Sequence, residues 1–229
     1  MFYQLEIQAR IDPDCEIALR HLQLLDSWKK APSPWRLLRP PAVPEIKPDD
    51  YGVETDVARF VKIKISGELT YQIRHSIYDA DDSLWIKFQP TTENYQVLVS
   101  DVIPMLIEGF GAYVVSLRDA RFDRIDLEKA MAKNDEPNDT SSIAPKFRSE
   151  IRRVGPIAFY DQDLCLKAFG LSLSEAAEKL QGVAEECQLI NGGLYIIGSK
   201  SILELDEADK LCIKLSAAMR KKPWYQFWK

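Results

Sequence analysis

The side chains that most often carry catalysis are scarce in this chain of 229 residues, which has only two histidines, His21 and His75. Histidine is the usual general base near neutral pH and the commonest metal ligand. His21 falls in a predicted helix, and His75 continues the inward side of a predicted strand. Neither belongs to a metal-binding spacing such as His-Glu-x-x-His, and we predict a structural role for His75.

Three carboxylates fall in one predicted turn between strands, namely Asp79, Asp81 and Asp82. Carboxylates at this spacing suit a hard divalent cation, which prefers oxygen ligands. The sequence Asp-Ala-Asp-Asp lacks the glycine and the distal glutamate of the common calcium loop, and turns favour aspartate for local hydrogen bonds. We predict a solvated turn without a metal. With His75, these carboxylates are the first candidates for a dispersed, hydrolase-like active site.

The sequence lacks the motifs that bind nucleotides or activate a nucleophile. It contains no Gly-x-x-x-x-Gly-Lys-Ser/Thr phosphate loop, no Gly-x-Gly-x-x-Gly turn and no Gly-x-Ser-x-Gly elbow. The pair Gly192-Gly193 precedes a predicted strand, so it does not present a helix N-terminus to phosphate. We therefore predict no cofactor.

The four cysteines, Cys15, Cys165, Cys187 and Cys212, form no Cys-x-x-Cys pair. Most lie in apolar helical patterns, which predicts reduced structural thiols. The N-terminus alternates polar and apolar residues instead of showing a signal peptide, and no stretch approaches the roughly 18 apolar residues that span a bilayer. These features predict a cytoplasmic protein that does not bind a membrane.

The charge balance, 35 acidic against 30 basic residues, disfavours nucleic acid as the main ligand. It is compatible with a basic protein partner, because opposite charges steer association. The strongest basic cluster comprises Lys146, Arg148, Arg152 and Arg153. We interpret it as a solvated segment before the following strand.

The C-terminal sequence Pro-Trp-Tyr-Gln-Phe-Trp-Lys is the most unusual feature of the chain. It places four aromatic residues within five positions: Trp224, Tyr225, Phe227 and Trp228. Chain termini are normally polar, and exposed aromatic residues would form a large apolar patch. Two interpretations follow. Either the tail folds back and completes a core, or it docks a partner or the tail of a second copy, which allows a homodimer.

The order of predicted elements favours an α+β fold, with an antiparallel or mixed sheet and helices packed on one face. Alternation predicts a strand over residues 2–11, and Asp12-Pro13 predicts the start of a helix that ends near Lys30. A hairpin is predicted from residues 57–66 and 68–78, followed by a third strand up to Phe88. The helix predicted over residues 92–110 contains Pro104, which should kink it.

The segment 31–56 contains six prolines between Pro32 and Pro48, which makes regular structure unfavourable there. It also carries large apolar residues: Trp35, Leu37, Leu38, Val43 and Ile46. A flexible linker rarely carries so many. We predict an ordered loop packed on the body.

The polar sequence of residues 134–146 predicts a flexible connector, which allows two lobes of similar size, 1–133 and 147–229. In the second lobe we predict a strand over 154–160 and a short helix that ends at Gly170. A capping box then starts a helix that extends to about Cys187. A turn at residues 191–193, a strand over 194–197 and a helix over 205–220 complete the lobe.

Together, these features predict a non-catalytic protein that binds and neutralises or regulates another macromolecule, in the manner of an inhibitor or a bacterial toxin-immunity protein. The predicted partner-binding residues are Trp224, Tyr225, Phe227, Trp228, Asp79, Asp81, Asp82 and Trp35. Two alternatives stay open: an enzyme with a dispersed carboxylate and histidine site, and a structural or assembly component.

Overall fold

The computed structural model describes residues 1–11, 15–47, 50–73, 81–122, 151 and 153–220. In these ranges eight strands form one antiparallel sheet, so the predicted α+β class is confirmed. The strands are β1 (Tyr3–Ala9), β2 (Gly52–Asp56), β3 (Ile65–Gln72), β4 (Asp82–Phe88), β5 (Ala112–Asp119), β6 (Ile157–Asp161), β7 (Glu186–Ile190) and β8 (Gly193–Ile197). Their order in the sheet is β2-β3-β4-β1-β5-β6-β8-β7. The two segments predicted as lobes thus contribute to the same sheet.

Several helix ends lie where local signals place them. They are α1 (Ile17–Lys29), α2 (Thr92–Val97), a π-helical turn (Leu98–Val102), α3 (Ile103–Phe110), α4 (Gln162–Phe169), α5 (Leu173–Leu180) and α6 (Leu205–Met219). Ser172 and Glu175 form the predicted capping box at the start of α5. Gly170 ends α4 in the left-handed conformation, with φ of 65°.

One face of the sheet is covered by α1 and α3, which also pack against each other. Strand β1 buries every second residue in this core, from Tyr3 to Ala9. The same core extends across the sheet as far as Phe159 and Tyr195. The inner face of the whole sheet therefore belongs to one hydrophobic core.

The opposite face is covered over only part of its width. There, Tyr160 of β6 and Leu194 of β8 pack in a second core with Leu164 of α4, Leu180 of α5 and Leu215 of α6. Over β2, β3, β4 and β1 the same face carries polar side chains around a half-buried tryptophan. In the part of the chain that the structure describes, no helix covers this region, which we call the open face.

The first half of the chain has the connectivity of a split β-α-β unit. Its elements β1, α1, β3, β4, α3 and β5 give the strand order β3-β4-β1-β5. Strand β2 is added outside this unit, paired in antiparallel fashion with β3. The topology therefore makes β2 one of the two edge strands.

Three sequence predictions about element bounds were wrong. Residues 57–63 form turns, and the strand that pairs with β3 is β2, inside the segment predicted to be a loop. The helix predicted to reach Cys187 ends at Leu180, and β7 follows. Helix α1 begins at Ile17, after Glu16. Strands as short as β2 and β7 are determined by pairing with residues that are distant in the sequence, and local patterns do not show this pairing.

Other predictions lie outside the described residues. They concern the strand end at 74–78 and the connector over 134–146.

The predicted irregularity at Pro104 takes the form of the π-helical turn that precedes it. A π turn needs the N–H of each residue to reach the carbonyl five positions earlier, and Pro104 has no N–H for the carbonyl of Val99. The buried hydroxyl of Tyr195 donates a hydrogen bond of 2.7 Å to that carbonyl. A side chain of β8 thus replaces the missing backbone donor.

Removing this hydroxyl should destabilise the fold, because it leaves a buried carbonyl without a partner. We expect Tyr195→Phe to lower the free energy of unfolding by about 1–3 kcal/mol, measured by urea denaturation. Tyr51→Phe, on a side chain that is 67% exposed, is the control. Equal stability of the two variants would contradict this role for Tyr195.

Candidate protein-binding surface

Two of the residues predicted to bind a partner, Trp35 and Asp82, are buried. Trp35 is fully buried; its indole N–H donates to the carbonyl of Asn94 at 2.8 Å, and its ring meets Phe88 edge-on. Asp82 is 1% exposed. Neither side chain presents a surface to another molecule.

Asp82 instead forms a buried ion pair with Arg20 of α1 and accepts a hydrogen bond of 2.9 Å from the backbone N–H of Gln72. The Arg20 guanidinium also lies 5.7 Å from the ring centre of Tyr71. This group of side chains connects α1 to β3 and β4. Its role is to fix the helix on the sheet.

His21 lies beside this group and is fully buried. Its Nδ1 is 3.2 Å from the hydroxyl of Tyr71, and its Nε2 is 3.5 Å from the carbonyl of Pro41. Burial lowers the pKa of the imidazole, because it penalises the charged form. The ring thereby connects the proline-rich loop to the core.

A buried charge without its partner is costly, so Asp82 should matter for stability. We expect Asp82→Asn to lower the free energy of unfolding by about 3–5 kcal/mol, measured by urea denaturation. Glu54→Gln removes an exposed carboxylate and serves as the matched control, with an effect of less than about 0.5 kcal/mol. A fully stable Asp82→Asn variant would show that the ion pair does not hold α1.

Asp81, the third described candidate, belongs to a polar network at one end of the sheet. The Tyr113 hydroxyl donates to its Oδ2 at 2.7 Å and lies 3.0 Å from Oε1 of Gln8. The Arg10 guanidinium stacks 4.3 Å from the centre of the Tyr113 ring and forms an ion pair with Asp161. The network joins β1, β5 and β6, so Asp81 contributes to packing between strands.

The remaining sequence candidates, His75, Asp79, Trp224, Tyr225, Phe227 and Trp228, lie outside the described residues. Within the described ranges, no three His, Cys, Asp or Glu side chains are arranged to hold a metal ion. None of the helices there is both long enough and apolar enough to span a lipid bilayer.

The proline-rich loop displays apolar side chains to solvent. Leu38, Val43, Ile46 and Tyr51 are 61%, 42%, 47% and 67% exposed. Two other residues of the same loop, Trp35 and Leu37, are buried and anchor it to the core.

Backbone hydrogen bonds hold the same loop at both ends. The N–H of Leu38 donates to the carbonyl of Phe60 at 2.7 Å, and the carbonyl of Tyr51 accepts from the N–H of Ile73 at 3.0 Å. The contact between His21 and Pro41 lies between these two points. The described part of the loop is thus held by hydrogen bonds and has apolar side chains on its outer side.

Carboxylates lie on β2, the strand that follows this loop, and on its neighbour β3. Val53 points into the core, so Glu54 and Asp56 lie on the open face, and Asp56 is directly opposite Glu68 of β3. Among the described residues, none of these three carboxylates takes part in an ion pair. The half-buried Trp85 of β4 is the next residue along the row, opposite Glu68.

We call these exposed apolar side chains and carboxylates together the acidic edge and define it as Leu38, Val43, Ile46, Tyr51, Glu54, Asp56 and Glu68. Such groups can bind a protein, but they offer no nucleophile or general base held in a cleft. The apolar and proline pattern of residues 31–56 predicts a packed loop and does not reveal this surface. A charge signal was present: residues 43–56 contain five acidic residues and one basic residue.

The comparisons with known proteins leave the function to be argued from this surface. No protein-family model matches the chain, and no curated protein matches its sequence.

Proposed function

We propose that this chain is a non-catalytic cytoplasmic protein that binds a basic protein partner through the acidic edge. In this proposal it neutralises or regulates its partner, in the manner of an immunity-type inhibitor of a bacterial toxin or effector. The supporting observation is the exposure of four large apolar side chains in residues 38–51, followed on β2 and β3 by three carboxylates that lack a cationic partner among the described residues.

The apolar side chains of the acidic edge supply affinity. Burying apolar surface contributes about 25 cal/mol per Å² removed from water, and tyrosine is enriched among the residues that dominate binding energy. Tyr51 combines the largest exposed fraction of the four with a hydroxyl for hydrogen bonding. Because hydrogen bonds already hold the backbone of the loop, less conformational entropy is lost on binding.

The carboxylates select for a partner of positive charge. Glu54, Asp56 and Glu68 repel a phosphate backbone and attract lysine and arginine, which increases the association rate at low salt. A basic protein therefore suits this surface better than a nucleic acid.

The described ionisable clusters favour binding over catalysis. Two of these clusters are ion pairs: Arg20 pairs with Asp82, and Arg121 pairs with Asp119. His21 is fully buried. These groups serve the fold, and the proposal does not use them.

Capture of a partner from native lysate tests the proposal, with the full chain as bait. We expect wild type to retain a basic protein, and Ile46→Asp/Tyr51→Ala to retain at least tenfold less of it, because two apolar anchors are lost. Leu166→Asp, a change at an exposed apolar residue on α4, is the matched control and should bind as wild type does.

The amount captured is measured by quantitative mass spectrometry, at low and at high salt. Retention should fall with increasing salt, because the carboxylates are exposed. Recovery of the chain without a partner, or a partner whose binding is the same in all three proteins, would contradict the proposal.

A further inference from the structure

The hydrogen bonds at the two ends of β2 determine which of its backbone groups point outward. The N–H of Val57 donates to the carbonyl of Gly67 at 3.1 Å, and the carbonyl of Tyr51 accepts from Ile73. In an antiparallel pair, residues that bond to the neighbour alternate with residues that do not. Odd-numbered residues from Tyr51 to Val57 therefore bond to β3, and Gly52, Glu54 and Asp56 direct their N–H and C=O groups away from the sheet.

This outward edge is open. Strand β2 is the terminal strand of the sheet, and no hydrogen bond from any described residue reaches the backbone of Gly52, Glu54 or Asp56. Natural sheets protect such edges with charged side chains, proline, a bulge or a covering element. The sequence of β2, Gly-Val-Glu-Thr-Asp, has no proline and its register with β3 is continuous, so its carboxylates are the protection, and they repel a strand of like charge and not a basic one.

The residues with outward backbone groups also carry the exposed carboxylates. Glu54 and Asp56 are two positions apart, so both side chains lie on the open face. In an added antiparallel strand, the residues directly opposite them would also be two positions apart and on that face. Cβ atoms of directly opposite residues are about 5 Å apart, close enough for an ion pair.

We propose that β2 accepts an extended segment of the partner as a ninth strand, and that this segment carries lysine or arginine at alternate positions. This inference rests on the proposed function and adds the binding mode and the partner's sequence pattern. The segment forms backbone hydrogen bonds with Glu54 and Asp56, while its basic side chains pair with their carboxylates.

Charge complementarity selects a basic segment over a second copy of this chain. Antiparallel pairing of β2 with β2 of another copy would bring Glu54 and Asp56 opposite, or diagonal to, the same carboxylates. Like charges in these positions destabilise a strand pair. The other edge strand, β7, differs in charge, because its Glu186 is already paired with Lys200 at 2.5 Å.

The test uses the full chain and a synthetic ten-residue peptide in which lysine alternates with threonine or valine. One peptide variant carries N-methyl groups on two lysines, whose N–H groups face β2 when the lysines lie opposite Glu54 and Asp56. A second carries them on two intervening residues, whose N–H groups face away. We expect fluorescence anisotropy to show at least tenfold weaker binding for the first variant only.

Protein variants test the same contact from the other side. Glu54→Gln/Asp56→Asn should weaken peptide binding at least tenfold, and Leu189→Asp on β7 should leave it unchanged. Hydrogen exchange adds a readout at single residues. The amide protons of Glu54 and Asp56 should exchange at least tenfold more slowly with peptide, while those of Val53 and Thr55, already bonded to β3, should change little.

Binding that ignores the position of the N-methyl groups, exchange that stays fast at Glu54 and Asp56, or absence of peptide binding would each overturn strand addition. None of these results depends on the capture experiment. A captured partner lost through Ile46→Asp/Tyr51→Ala would still support the proposed function.

Discussion

The structure depends on the alternation of the strands β1 to β4, whose apolar side chains, apart from Trp85 of β4, lie on one side. Strand β1 buries Tyr3, Leu5, Ile7 and Ala9 under α1 and α3, and its other side chains are polar. In this half of the chain, the helices cover only the apolar face of the strands. The opposite face of the sheet is polar. The split β-α-β connectivity then places β2 at the border of that face. The carboxylates of the acidic edge and the outward backbone groups of β2 both result from this arrangement.

The buried polar group around Arg20, Asp82, His21 and Tyr71 connects that scaffold to the surface above it. It fixes α1 on the sheet and holds the proline-rich loop through Pro41. The loop can therefore expose apolar side chains without losing its shape. For the proposed function, a surface held in shape by polar core residues lowers the entropic cost of association.

The sequence predicted features governed by local interactions. The end of α4 at Gly170, the start of α5 at Ser172 and the alternation of β1 require only neighbouring residues, and all three were correct. Strands β2 and β7 were missed, because strands of five residues are stabilised by distant partners. Among the candidate site residues, Trp35 and Asp82 are types common at interfaces and turns, but their burial is set by packing that the sequence does not display.

The central claim is that a partner binds at the acidic edge. Hydrogen exchange on the complex between this chain and its captured partner tests this claim most directly. The claim predicts slower exchange in residues 38–47 and 52–56 of the complex than in the free chain, with β7 unchanged. Slower exchange confined to other surfaces, with the acidic edge exchanging as in the free chain, would contradict it.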